Sequence, residues 1–298
     1  MKLCQYMKIL AAGTALVALM PSANAFALNG FGPFVMKFGG YTANSQDGGA
    51  GNAGSGRESV FGAGYLDQIK SRDDPTKYFW QSGNNNETIS YMIYGVSDAS
   101  ITQGGSFGKN IYNTGCSNVS FGCDGKIHLD FYLDKTTDKG GTNPSFTSAN
   151  GLKASDRTAF NKLNGITDGT LLISLVFDVG IVPNDDSSTQ FDERLSTMFQ
   201  DVTNDTLPAS GKAAFYASCV AGIACSMFNT KGQNGGLSDF HAMNTLIALD
   251  PADGAAKNGW GGFNNDPILG NVKQVPEPSS IMLLALGLFG VGHLLRRR

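Results

Sequence analysis

The chain has 298 residues, 41% of them hydrophobic, enough for a packed core, but only 16% are charged against about 25% in an average soluble domain. Its net charge of −3 excludes the Lys/Arg footprint of a nucleic-acid binder. The 39 glycines are not spaced every third residue, which excludes collagen. At the N-terminus, Lys2 and Lys8 precede an apolar run from Ile9 to Met20 and then Pro21-Ser22-Ala23-Asn24-Ala25. That order is a secretory signal peptide with small residues Ala23 and Ala25 at its cleavage site, so signal peptidase leaves Phe26 as the new N-terminus. The run is too short to cross a hydrocarbon core of about 30 Å. Cys4 lies before it, where a lipid-modified cysteine does not sit.

Gly39 to Gly64 is rich in Gly, Asn and Ser and reads as loop. Thr88 to Val96 reads as a strand with Ile89, Tyr91 and Ile93 on one side. Lys126 to Asp134 alternates most clearly: Ile127, Leu129, Phe131 and Leu133 predict a core face, and Lys126, His128, Asp130, Tyr132 and Asp134 a wet one. Thr170 to Val179 is a continuous apolar run suited to a central strand, and Ala213 to Val220 and Met243 to Leu249 are further strands. Two helices are predicted: Asp156 to Leu163 with Ser155 as N-cap, and Thr189 to Val202 with a stripe of Phe191, Leu195, Phe199 and Val202. The expected fold is mainly β, a single β-sandwich-like ectodomain with two or three short helices.

Four cysteines remain once the signal peptide is gone, an even number that argues for disulfides in an exported protein. Of three pairings, Cys116 with Cys123 and Cys219 with Cys225 are favoured, because each encloses a short segment that Gly122 or Gly222 allows to bend back. Neither C-x₂-C spacing nor paired histidines favour a metal instead.

The chemistry-bearing motifs are sparse. Gly104-Gly105-Ser106-Phe107-Gly108 matches the G-x-S-x-G of hydrolase elbows, which requires a preceding strand and a following helix. Gly49 to Gly54 matches a dinucleotide fingerprint but follows no predicted strand, and Ser210-Gly211-Lys212 lacks the first Gly of a P-loop. His128 shares a strand face with Asp130, as an oriented general base would; a solvated strand face gives the same pattern. His241 has no selected role. Asp185, Asp186, Asp192 and Glu193, and separately Asp250, Asp253 and Asp266, form the acid clusters from which a Ca²⁺ site would have to be built, without EF-hand spacing. Trp80, Trp260, Tyr78, Phe79 and Phe263 sit in polar surroundings, as sugar-stacking aromatics do, although core packing explains them equally. No cofactor is implied.

The C-terminal end reads Val275-Pro276-Glu277-Pro278-Ser279-Ser280, then fifteen residues from Ile281 to Leu295 broken only by His293, then Arg296-Arg297-Arg298. As a helix the apolar run reaches about 22 Å, a short transmembrane segment that snorkelling arginines extend. By the positive-inside rule Arg296, Arg297 and Arg298 stay cytoplasmic, which places everything before Val275 on the far side of the membrane. Leu207-Pro208-Ala209-Ser210-Gly211 looks like a Gram-positive sortase motif but lies far from this apolar run and reads as loop. The order, spacing and terminal position of Val275 to Arg298 resemble the PEP-CTERM sorting signal. That resemblance implies recognition at Pro276, Glu277 and Pro278 by an exosortase, a membrane-embedded cysteine transpeptidase, after transient inner-membrane anchoring. It also implies a Gram-negative bacterium that makes exopolysaccharide, and a destination at the cell surface or in extracellular matrix.

The expected organisation is therefore 1–25 signal peptide, 26–274 ectodomain and 275–298 sorting signal. The ectodomain has 249 residues with 17 basic and 24 acidic side chains, a net charge of −7; only Glu58, Glu87 and Glu193 of its acids are Glu, so turns outweigh helices. The layout of Gly169 to Gly180, Ala214-Phe215-Tyr216, Met227 to Thr230 and Trp260 to Gly270 resembles flocculation-associated PEP-CTERM proteins. This implies a non-enzymatic role with exopolysaccharide in biofilm or flocs. The rivals are an exported hydrolase built on Ser106 or on an acid such as Asp130, and a Ca²⁺-dependent carbohydrate-binding module.

Overall fold

A computed structural model describes residues 26–48, 51–135, 145–181, 197–265 and 267–274. The strands are β1 (Gly32–Asn44), β2 (Val60–Ser71), β3 (Tyr78–Gln81), β4 (Glu87–Gln103), β5 (Lys109–Gly115), β6 (His128–Lys135), β7 (Arg157–Ala159), β8 (Lys162–Leu163), β9 (Thr170–Phe177), β10 (Thr197–Val202) and β11 (Gly211–Ala221). The four-residue helix α1 (Cys225–Phe228) follows, then β12 (Phe240–Ala248), the four-residue helix α2 (Gly254–Lys257), β13 (Gly262–Asn265) and β14 (Ile268–Val272).

Twelve strands form one antiparallel sheet whose hydrogen bonds close on themselves. β2 pairs with β1 and β4. Along its far edge the long β4 pairs first with β6 and then with β5. These pair with β9 and β10, which share one edge of β11. β12 follows, and β13 and β14 together bridge it back to β1. The expected mainly β architecture is present, but the antiparallel strands close into a ring instead of two facing sheets. Register shifts at Lys37/Phe38, Asp98/Ser100 and Cys219/Ala221 bend the longest strands so that closure is reached. Closure also removes the open edges of the longer strands, which a sandwich must protect, and leaves the short β3 paired with β2 alone among the described strands.

Inside the ring lies the main core, which includes Phe34, Met36, Phe38, Tyr91, Phe131, Phe177, Phe215 and Phe240. Phe26, the residue at the expected signal cleavage point, is buried in the same core. A second cluster lies outside the ring: Phe61, Ala63, Met92 and Tyr94 point outward and are covered by Phe146, Leu152, Leu163, Ile166 and Trp260. Residues 145–167 and α2 thus form a cover over the outer wall of β2 and β4.

The five sequence-predicted strands all form, as β4, β6, β9, β11 and β12, with different end points. Three expectations are corrected. Gly39 to Gly64 is not one loop: β1 runs to Asn44 and β2 starts at Val60. Its strand glycines serve close approach, since a Cβ on Gly40 would meet the Tyr91 hydroxyl at 2.0 Å and one on Gly64 the Gly39 carbonyl at 2.2 Å. Asp156 to Leu163 is not a helix; a 3-10 turn over Ala154–Asp156 leads into the small β7–β8 hairpin. Arg157 is drawn into the wall there by Glu58, which outweighs the local helix signal. Of Thr189 to Val202, residues 197–202 are β10, paired on both sides, and the remainder, with Phe191 and Leu195, lies outside the described residues.

Candidate binding face

The wall opposite the cover is open. Across β5, β10, β11 and β12 the register sets Tyr112, Phe199, Ala214 and Met243 in one outward row. At about 4.8 Å between strands this row is about 14 Å long. Tyr112 and Phe199 have ring centroids 5.5 Å apart, and Met243 is 62% exposed. The next row holds Tyr216, His241 and Leu269, with the Tyr216 and His241 rings stacked at 4.7 Å. Partial burial holds the His241 imidazole below its usual pKa, so it is a neutral flat ring at neutral pH. On the other side runs a polar row of Asn110, Asp201, Lys212, Thr245 and Asn265. Partly exposed rings thus lie beside a ladder of amide, carboxylate, ammonium and hydroxyl groups, so the face offers both apolar planes and hydrogen-bonding edges.

The sequence-selected residues are placed differently. Ser106 lies in the turn of the β4–β5 hairpin, so the motif is strand–turn–strand and not the strand–turn–helix of a nucleophile elbow. The Ser106 and Phe107 amides donate to the Asp201 carboxylate at 2.9 and 3.1 Å, which fixes the hairpin tip to β10. His128 meets Asp124 at 3.1 Å, not Asp130, and stacks on Tyr94 at 4.9 Å. Asp130 is not on a wet face: it is buried, accepts from the Tyr94 hydroxyl at 2.7 Å, and its Oδ1 has no hydrogen-bond partner among the described residues. Burial and the Asp130 charge push the Tyr94 phenol well above its usual range.

Trp80, Trp260 and Phe79 are buried and serve packing; the Trp260 indole donates to the Leu152 carbonyl at 2.9 Å. Tyr78 is 43% exposed, and Phe263 is half-buried against Tyr41. Asp250 accepts from Ala252 N, and Asp253 caps α2. Asp185, Asp186, Asp192, Glu193 and Asp266 lie outside the described residues. Among the described residues, no three His, Cys, Asp or Glu side chains gather as a metal would require.

Cys116–Cys123 and Cys219–Cys225 are both bonded, as favoured from their spacing, with Cα separations of 5.3 and 5.6 Å. The predicted span from Ile281 to Leu295, the signal site at Ala23 and Ala25, the motif Pro276 to Pro278 and Arg296 to Arg298 lie outside the described residues. No helix among the described residues is long and apolar enough to cross a membrane.

The open face was missed in the sequence because its signal is spread over six strands. Tyr216, Met243 and Ile247 have the right parity within their own strands, but only the register sets the rows side by side. Comparison with known proteins identifies a PEP-CTERM protein-sorting motif at residues 274–298. No curated protein and no solved structure matches the chain, so the flocculation-like layout of the body has no homologue behind it.

Proposed function

We propose that this chain is an exported, exosortase-processed protein of the bacterial surface or extracellular matrix, and that its barrel holds exopolysaccharide without chemistry. The sorting motif supports delivery to the cell envelope or surface. The single observation behind the polysaccharide is the open wall, where Phe199, Tyr216 and His241 offer ring surfaces beside Lys212, Thr245 and Asn265. Stacking on rings and hydrogen bonding at hydroxyls are the two interactions a sugar polymer makes. A non-catalytic role in floc or biofilm cohesion follows from that chemistry and from the destination.

The decisive measurement is co-sedimentation of the protein with exopolysaccharide from its own source, comparing wild type with Phe199→Ala/Tyr216→Ala. The double variant is expected to lose about tenfold or more in affinity while still unfolding cooperatively from a folded state. Equal binding by both proteins removes this face from the proposal. Polymer that is shortened during incubation removes the claim that no chemistry occurs. In cells, Glu277→Ala is expected to leave the chain unprocessed and reduce flocculation.

A further inference from the structure

One end of the barrel gathers most of the exposed apolar side chains among the described residues, and it is the end at which β1 begins and β14 finishes. Gly32 at the start of β1 pairs with Val272 at the end of β14, and Phe34 pairs with Ser71 at the end of β2. β11 ends at the same level, since Ala217 pairs with Phe240 and Phe240 with Gly270. Nine large hydrophobic residues are exposed among the described residues, and five are at or just past this rim. Phe31 (64% exposed) precedes β1, and Tyr78 (43%) starts β3 opposite Lys70. Val220 (59%) and Ile223 (55%) close the end of β11, and Leu237 (65%) tips the turn before β12. Of the other four, Met243 and Ile247 are on the open wall, Phe107 tips the hairpin at the far end, and Val119 lies between the bonded cysteines.

The length of chain beyond the barrel decides what this rim faces. Lys273 is held to the barrel: its amide donates to Met227 O at 2.9 Å and its ammonium to Asn229 O at 2.7 Å. At no more than about 3.5 Å per residue, Pro276 is within about 10 Å of that anchor and Ile281 within about 28 Å. The segment just before β1 lies at the same end, with Phe26 buried, Phe31 exposed and the Asn29 amide donating to Phe79 O at 2.8 Å. A chain whose tail is in the bilayer therefore has this rim, and not the Phe107 end, within reach of the membrane surface. Exposed Phe, Tyr, Leu, Ile and Val side chains at a rim are the groups that settle at a lipid interface.

We propose that this end is a bilayer-facing rim: Phe31, Tyr78, Val220, Ile223 and Leu237 rest on the lipid surface while the sorting tail is attached, and hold Pro276 to Pro278 close to the membrane. The proposal rests on the reading of the tail as a membrane-spanning sorting segment. The test uses the tail-bearing protein in nanodiscs whose phospholipids carry a photoactivatable diazirine in the upper acyl chain, with crosslinks mapped by mass spectrometry. Labelling is expected in 281–295 and at Phe31, Ile223 and Leu237, but not at Phe107 or Met243. Phe31→Ser/Ile223→Asn/Leu237→Ser is expected to lose the rim labels, keep the tail labels and melt as wild type does.

A labelled tail with a rim labelled no more than Phe107 overturns the rim alone. An unlabelled tail overturns the membrane-spanning reading, and the rim with it. A rim crosslinked to a second copy of the chain in place of lipid also overturns the proposal.

Discussion

The covered and open walls of the barrel invert what their strands predict. On β6 the outward residues are His128, Asp130, Tyr132 and Asp134, polar in sequence, yet Asp130 and Tyr132 are buried. On β12 the outward residues are His241, Met243, Thr245 and Ile247, and here Met243 and Ile247 are exposed at 62% and 49%. Polarity thus identifies the two faces of each strand but not which of them stays wet. The polar wall had to find partners for what its cover buries; the open wall carries apolar surface that folding leaves unused. Surplus of that kind on an exported domain is most simply explained by a ligand.

The largest expected effect comes from the ion pair that pins the cover. Glu58 and Arg157 are both buried and meet at 2.5 and 3.0 Å, and Glu58 also accepts from Ser45 Oγ and Gly95 N. The Arg157 guanidinium lies 4.5 Å from the Phe61 ring centroid and donates to the carbonyls of Ala159 and Phe160. Arg157→Ala leaves a buried carboxylate without its cation and is expected to cost about 3–5 kcal/mol in denaturant unfolding. Glu58→Gln/Arg157→Met removes both charges and is expected to recover part of that loss. A double variant as unstable as the single would show that packing, and not an orphaned charge, sets the cost.

This pair also marks the limit of what the sequence disclosed. The parity of Ile89, Tyr91 and Ile93, and of Leu129, Phe131 and Leu133, was readable because alternation is local, and the cysteine pairs were readable because their loops are short. Glu58 and Arg157 are 99 positions apart, and nothing near either announces the other. The helix expected over Asp156 to Leu163 failed for the same reason: a non-local contact outweighed local propensity. β1 and β2 were hidden by glycines that composition assigns to turns, although Gly40 and Gly64 are there to let Tyr91 lie across them. The open face shares this limit, because strand register is not a local property.

Asp98 gives an intermediate effect and a pH signature. It is buried on β4 beneath the loop between β1 and β2, accepting from Asn113 Nδ2 at 2.9 Å and Gly51 N at 3.2 Å. Unlike Glu58, it has no cation among these partners. Burial raises its pKa to about 6, against opposing hydrogen bonds from Gly51, Ser59 and Asn113. The folded state therefore holds the proton more tightly than the unfolded state. This contribution to stability is greatest below about pH 4 and is lost as pH rises to about 6, by at most about 3 kcal/mol. Asp98→Asn is expected to remove that fall, read as the difference between variant and wild-type unfolding curves from pH 4 to pH 7. Parallel curves would mean that Asp98 titrates alike in both states.

The smallest effect is the one that separates the two walls most directly. Met243 projects from the middle of the open wall, where truncation leaves no cavity, so Met243→Ser is expected to change stability by no more than about 0.5 kcal/mol. Met92 has the same outward parity on β4 but is buried under the cover, and Met92→Ala is expected to cost about 2–5 kcal/mol. Equal costs would mean that the open wall is also covered in solution, which removes it as a ligand surface. A silent Met243→Ser that nonetheless weakens co-sedimentation with polysaccharide would assign the apolar surplus of this wall to binding, since no part of it would then be needed to hold the barrel together.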